Sequence, residues 1–214
     1  MNTDLINKTL IYIENYFKNE HGGHDYYHTI RVFNLAKTIS NNIECDKELV
    51  YLASLLHDVD DYKIVNNKEE KYQNTKSFLK ENNYPDDRIE KICHIISQVA
   101  FKAKDTITPD TIEGKIVQDA DRLDGIGAIG IARAFTFGGN NNIPIHIPSI
   151  KINLNMSREE YSKYAKTTIN HFYEKLLLLK DMMNTDEAKK MAEHRHKYME
   201  EYLDEFYKEW DGIL

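Results

Sequence analysis

The chain has 214 residues, 41% hydrophobic and 29% charged, an ordinary balance for a globular protein able to bury a sizeable core. Its 28 basic and 35 acidic residues leave a formal net charge of −7, which argues against a nucleic-acid polymer as partner. No apolar run approaches the roughly 18–20 residues of a membrane span, the acid-bearing N-terminus does not read as a signal peptide, and the two cysteines, Cys45 and Cys93, form no CxxC pair. A disulfide framework, a thiolate zinc site and a membrane partner are thereby disfavoured, and a reducing cytoplasm is the expected compartment.

Leu5, Ile6, Leu10, Ile13 and Phe17 recur at helical intervals and predict a first helix that ends at "HGG". A second starts at Asp25, a helix-capping residue type, and runs through Val32, Leu35, Ala36 and Ile39. The third covers Lys47 to Asp58 and buries Leu49, Val50, Leu52, Ala53 and Leu56. Further helices are expected over Glu69–Glu81, Asp86–Val99, Ile112–Leu123 and Ile126–Phe135. The stretch "TFGGNNNIPIHIPSIKINLN" combines Gly-Gly, Asn and Pro and reads as an unusually long loop, with room for a short strand around Ile143–Ile152. Two long helices follow, Ser157–Met183 and Asp186–Glu209. The expected architecture is one all-α domain over 1–214: a helical core over 1–136, a loop over 137–156 and a C-terminal helical pair over 157–214.

Three of these helices carry groups that are costly to bury alone. His28 shares a face with Val32 and Leu35, and His57 lies four residues beyond Ala53 and seven beyond Val50. Asp58 follows His57 directly, and Asp119 lies three residues past Ile116 and four before Leu123. Taken singly, such a histidine is more often a hydrogen-bonded core residue, and such an aspartate a cap or a solvated charge. As a set, two imidazoles and two carboxylates on inward stripes suit manganese, iron, magnesium or zinc.

The pattern His28, His57-Asp58, Asp119 resembles the metal signature of the HD-domain superfamily of phosphohydrolases. "GHDYYHTIRV", "LLHDVDDYK" and "QDADRLDGIGAIGIAR", with "HFYEKLLLLKDMMNT" and "AEHRHKYMEEYLDEF" later on, extend the likeness over nearly the whole chain. They are similar to a bacterial subgroup of small HD-domain hydrolases, some of them nucleoside triphosphate pyrophosphohydrolases. The resemblance implies an all-α HD-domain bundle in which His28, His57, Asp58 and Asp119 hold one divalent cation; manganese is the favoured metal, with magnesium, iron and zinc as alternatives. It also implies hydrolysis of a small nucleotide's phosphoanhydride or ester. A 5'-nucleotidase or phosphodiesterase on the same site, or a non-catalytic nucleotide sensor, are the alternatives.

Asp61 is the expected proton donor to the leaving group, because related enzymes place an acid three residues after the ligand aspartate and that spacing is about one helical turn. Asp60 reads as a solvated helix-end charge. His24, Arg31, Lys63 and Lys102, with Lys104, are candidates for substrate phosphates, each weighed against an ordinary surface role. Arg122 points away, and Asp124 is expected to orient a ligand histidine from behind. Gly125, Gly127 and Gly130 lack the spacing and the preceding strand of a phosphate loop, and suit close packing instead. His94, among apolar neighbours, reads as a core or supporting residue rather than a second metal's ligand, and His146 has no spacing argument. Tyr207 and Trp210 suit either a homodimer contact or packing on their own core.

Overall fold

The computed structural model describes residues 1–18, 25–60, 71–101, 105–154, 156, 159 and 167–213. Among them there is no strand, so the short strand expected around 143–152 does not form. The described residues fall into two compact units, one of 1–101 and 107–121, the other of 102–106 and 122–214.

The first unit contains α1 (Thr3–Tyr16), α2 (Tyr26–Ile39), α3 (Lys47–Leu56), α4 (Gln73–Glu81), α5 (Asp86–Ser97) and most of α6 (Ile112–Asp124). Local chemistry sets several starts. Asn2 accepts from the Leu5 amide, Asp25 from the amide of His28, and Asp46 from those of Glu48 and Leu49, satisfying donors that a helix start leaves open. The α3 helix is the hub, packing on α1, α2 and α5. Ile13, Val32, Leu52, Leu56, Ile92 and Ile116 are essentially inaccessible to solvent; each such side chain contributes about 1.5–3 kcal/mol by burial. Arg88 of α5 binds both Asp46 (2.9 Å) and Glu48 (3.4 Å), tying α5 to the start of α3. A cavity of about 430 Å³ lies beside this ion-pair group, lined by Met1, Cys45, Asp46, Lys47, Glu48 and Arg88, and contains none of the site candidates.

The α3 helix stops at Leu56, two residues short of the expected end, and residues 57–60 form turns. Asp61, the expected proton donor, lies outside the described residues.

The second unit contains the end of α6, α7 (Gly127–Asn140), α8 (Thr168–Glu174), a 3-10 run (Leu176–Met182) and α9 (Asp186–Trp210). The α7 helix runs through the Gly-Gly pair that the sequence marks as a break. A side chain at Gly138 would place its Cβ 2.4 Å from Thr168 Oγ1, so this glycine serves a close approach of α7 to the start of α8. Gly130 is equally constrained: a Cβ there would sit 2.3 Å from the Gly125 carbonyl oxygen. Close packing is thus the role of these glycines.

The long helix expected over 157–183 is instead interrupted at Lys175 between α8 and the 3-10 run. Four consecutive leucines carry no 3.6-residue stripe. The 3-10 period of three buries Leu176 and Leu179 on one side and leaves Leu178 exposed. The irregular stretch before α8 is tied to it: Thr168 and Ile169 amides donate to the Pro144 and Ile145 carbonyls, and the Asn170 amide group to Ile150 O (3.0 Å). No helix among the described residues is long and apolar enough to cross a membrane.

Candidate metal centre

The first unit brings His28, His57 and Asp58 together. Their ligand atoms lie within 4.8 Å of one another, and all three residues are buried. His28 is the third residue of α2, fixed by its own amide's bond to Asp25 Oδ1 (2.6 Å). His57 is the residue on which α3 ends. Its Nδ1 donates to the Ser54 carbonyl (2.8 Å), so the proton sits on Nδ1 and the Nε2 lone pair faces the site. The two Nε2 atoms are 3.3 Å apart, and Asp58 Oδ2 lies 3.2 Å from one and 3.3 Å from the other.

An α6 carboxylate that approaches this trio is Asp121. Its Oδ1 is 3.5 Å from His28 Nε2 and 3.9 Å from His57 Nε2, and its side chain retains 28% exposure. Asp119, the residue chosen from the apolar spacing, is fully buried two positions earlier and about 200° around the helix. The apolar spacing points to the aspartate facing the aliphatic core, whereas Asp121 is a partly solvated carboxylate beside the imidazoles. The stretch "DADRLD" holds three aspartates, and spacing alone does not discriminate among them.

These donors suit a divalent cation. Two imidazole Nε2 atoms 3.3 Å apart face each other across the site, and two nearby carboxylates supply the negative charge that a dication would offset. Mixed imidazole and carboxylate donors at this separation match first-row ions, which sit about 2.0–2.2 Å from such atoms. Burial opposes a charge on His57, but the Asp58 carboxylate, assisted by Asp121 and the Ser54 carbonyl, outweighs it and raises the pKa to about 9. A proton and a cation therefore compete for the same Nε2.

The remaining candidates divide clearly. Arg31 lies one turn after His28 and is half-buried. His24, Asp61, Lys63, Lys102 and Lys104 lie outside the described residues. Asp124 is buried in the second unit, where its Oδ2 accepts from Arg133 (2.8 Å). Arg122 donates to the Met182 carbonyl within that same unit. Asp60 is not a free solvent-facing charge: its two oxygens accept from the Asn74 and Thr75 amides.

His94 is exposed and paired with Asp110 (2.9 Å), which corrects the core reading; the buried stripe of α5 is Ile89, Ile92, Cys93 and Ile96, and His94 lies off it. The hydrogen bond from His94 holds the Asp110 carboxyl below its usual pKa. His146 packs edge-on against Trp210 (4.9 Å), Tyr207 (5.6 Å) and Phe206 (6.0 Å) of α9.

An all-α core in which His28, His57 and Asp58 converge could hold a metal ion, and comparison with known proteins gives the family. The HD domain model matches residues 25–126. YpgQ from Bacillus subtilis is 36% identical over 204 residues, covering 94% of this chain and 92% of YpgQ. Among solved structures, a Lactobacillus plantarum protein superposes with a TM-score of 0.88 at 37% identity, covering 99% of both chains. An HD-superfamily hydrolase from Bacillus thuringiensis does so with 0.74 at 36% identity, again over 99% of both. The structure of YpgQ in complex with ADP gives 0.77 at 33% identity, over 98% of this chain and 100% of that one. The chain belongs to the HD-domain family. Within it, the chain is a metal-dependent phosphohydrolase of the HD superfamily.

Proposed function

We propose that this protein hydrolyses a phosphoanhydride of a small nucleotide, with a (deoxy)nucleoside triphosphate releasing pyrophosphate as the sharpest form of the reaction. The observation that carries the reading is the convergence of His28, His57 and Asp58 on one point, with Asp121 on the open side. The ADP bound to its relative YpgQ supports a nucleotide as ligand. A divalent cation bound there lowers the pKa of water and polarises a phosphoryl oxygen.

The chain's own residues then have distinct tasks. His28 and His57 offer neutral nitrogen donors, and Ser54 keeps the His57 ring in the tautomer that can bind. Asp58 and Asp121 balance the cation's charge, and Asp119 remains a candidate for support from behind on the same helix. Arg31, one turn from His28, is placed to meet phosphate charge. His24, Lys63 and Lys102 are proposed to serve likewise, and Asp61 to protonate the leaving oxygen. Manganese is the proposed native cation.

The test is a panel of ribo- and deoxynucleoside mono-, di- and triphosphates against Mn²⁺, Mg²⁺, Fe²⁺ and Zn²⁺, with phosphate and pyrophosphate resolved as products. Triphosphates are expected to give pyrophosphate and the monophosphate. Phosphate from monophosphates identifies a nucleotidase, and turnover of cyclic or diester substrates a phosphodiesterase. Nucleotide-induced thermal stabilisation without any product identifies a sensor and overturns the catalytic reading.

A further inference from the structure

The α4 helix starts without a cap of its own. Tyr72 precedes it at φ 63° and contributes no side-chain bond to the helix start. Asp60 supplies that function from upstream: Oδ1 accepts from the Asn74 amide (2.9 Å) and Oδ2 from the Thr75 amide (3.0 Å). These are the donors that a helix N-terminus leaves unsatisfied. The same helical turn also grips the backbone beside Asp58. Asn74 Nδ2 donates to Val59 O (3.5 Å) and to the Tyr16 hydroxyl (3.4 Å), and that hydroxyl donates to Val59 O (2.7 Å). The two residues following Asp58 are therefore both fastened, Val59 by its carbonyl and Asp60 by both carboxylate oxygens.

No helix holds this stretch, because α3 ends at Leu56. We propose that Asp60 is a positioning residue for the cation centre: by clamping α4's first turn it fixes the turn that presents Asp58 to His28 and His57. The inference rests on the cation reading of that trio. A carboxylate is required because two separate N–H groups need two acceptor oxygens. Asparagine keeps one acceptor and sets an N–H against the second donor, and alanine keeps none.

Mn²⁺ titration of the purified full chain tests this, with amide hydrogen exchange at Asn74 and Thr75 read alongside. In Asp60→Ala, Mn²⁺ affinity is expected to fall about 10–100-fold, the loss typical when a partner behind a ligand is removed. Asp60→Asn, the milder change, is expected to lie between Ala and wild type, and excess Mn²⁺ to restore turnover in both. A plain helix cap would lose protection at the two amides and keep wild-type Mn²⁺ affinity, and that result overturns the inference. Asp60→Asn alone decides the matter if the alanine variant does not fold. His57→Ala serves as control: if it still binds Mn²⁺ as wild type does, the reading of the centre has failed and the inference falls with it. If it loses Mn²⁺ while both Asp60 variants retain it, only the inference fails.

Discussion

Replacing His57 with alanine is expected to strip the protein of its cation and to lower hydrolysis by about 10³-fold or more, since a catalytic metal contributes several kcal/mol and each 1.36 kcal/mol is tenfold in rate. The geometry makes this the most sensitive position. His57 Nε2 lies within 3.3 Å of both His28 Nε2 and Asp58 Oδ2, and its ring is oriented by the bond to Ser54. Without that imidazole, three donors become two with one carboxylate approaching from α6. Metal content by elemental analysis, together with turnover at saturating nucleotide, reads both consequences. Thermal melting separates loss of metal from loss of fold. A cation that binds only the folded state stabilises it by about 2.7 kcal/mol at a hundred times its dissociation constant. Wild type should therefore melt higher with Mn²⁺ than with chelator, and the variant should melt alike in both. Retained metal and turnover in His57→Ala would remove this residue from the centre.

The second large effect separates two aspartates of α6. Asp121→Ala is expected to weaken Mn²⁺ binding by more than the about 10–100-fold that loss of a supporting residue costs, because its carboxylate faces both imidazoles. Asp119→Asn is expected to leave Mn²⁺ affinity within that smaller range. Its effect should fall on melting temperature, since Asp119 is wholly buried and a buried charge is held by its surroundings. Isothermal titration with Mn²⁺ on both variants checks the pair. The opposite ranking, with Asp119→Asn losing the cation and Asp121→Ala keeping it, would return the fourth ligand to Asp119.

Much of the framework is legible from residue spacing. The stripe of α2 places His28 inward and that of α3 places His57 inward, and both are buried in the structure. Asp25 is recognisable as a cap because its residue type and position anticipate the bond it makes to the His28 amide. What spacing does not reveal depends on tertiary contact. Gly138 looks like a breaker yet lies within α7, because Thr168 approaches where no other residue would fit. The run of leucines after Lys175 looks like a buried helix but takes a 3-10 period that only its neighbours can select. Asp60 reads as a solvated charge because its partners, Asn74 and Thr75, are 14 and 15 residues away. Asp121 escapes for a related reason: its carboxylate beside the imidazoles is partly exposed, so apolar spacing does not find it.

In the proposed reaction this chain works through a divalent cation held by His28, His57 and Asp58. Stripping the purified protein with chelator, removing the chelator, and titrating Mn²⁺ back while following nucleoside triphosphate hydrolysis tests it most directly. Turnover at background is expected in the stripped protein, with recovery in proportion to bound Mn²⁺ that saturates at one ion per chain. Full turnover in protein shown by elemental analysis to be free of divalent metal would contradict it.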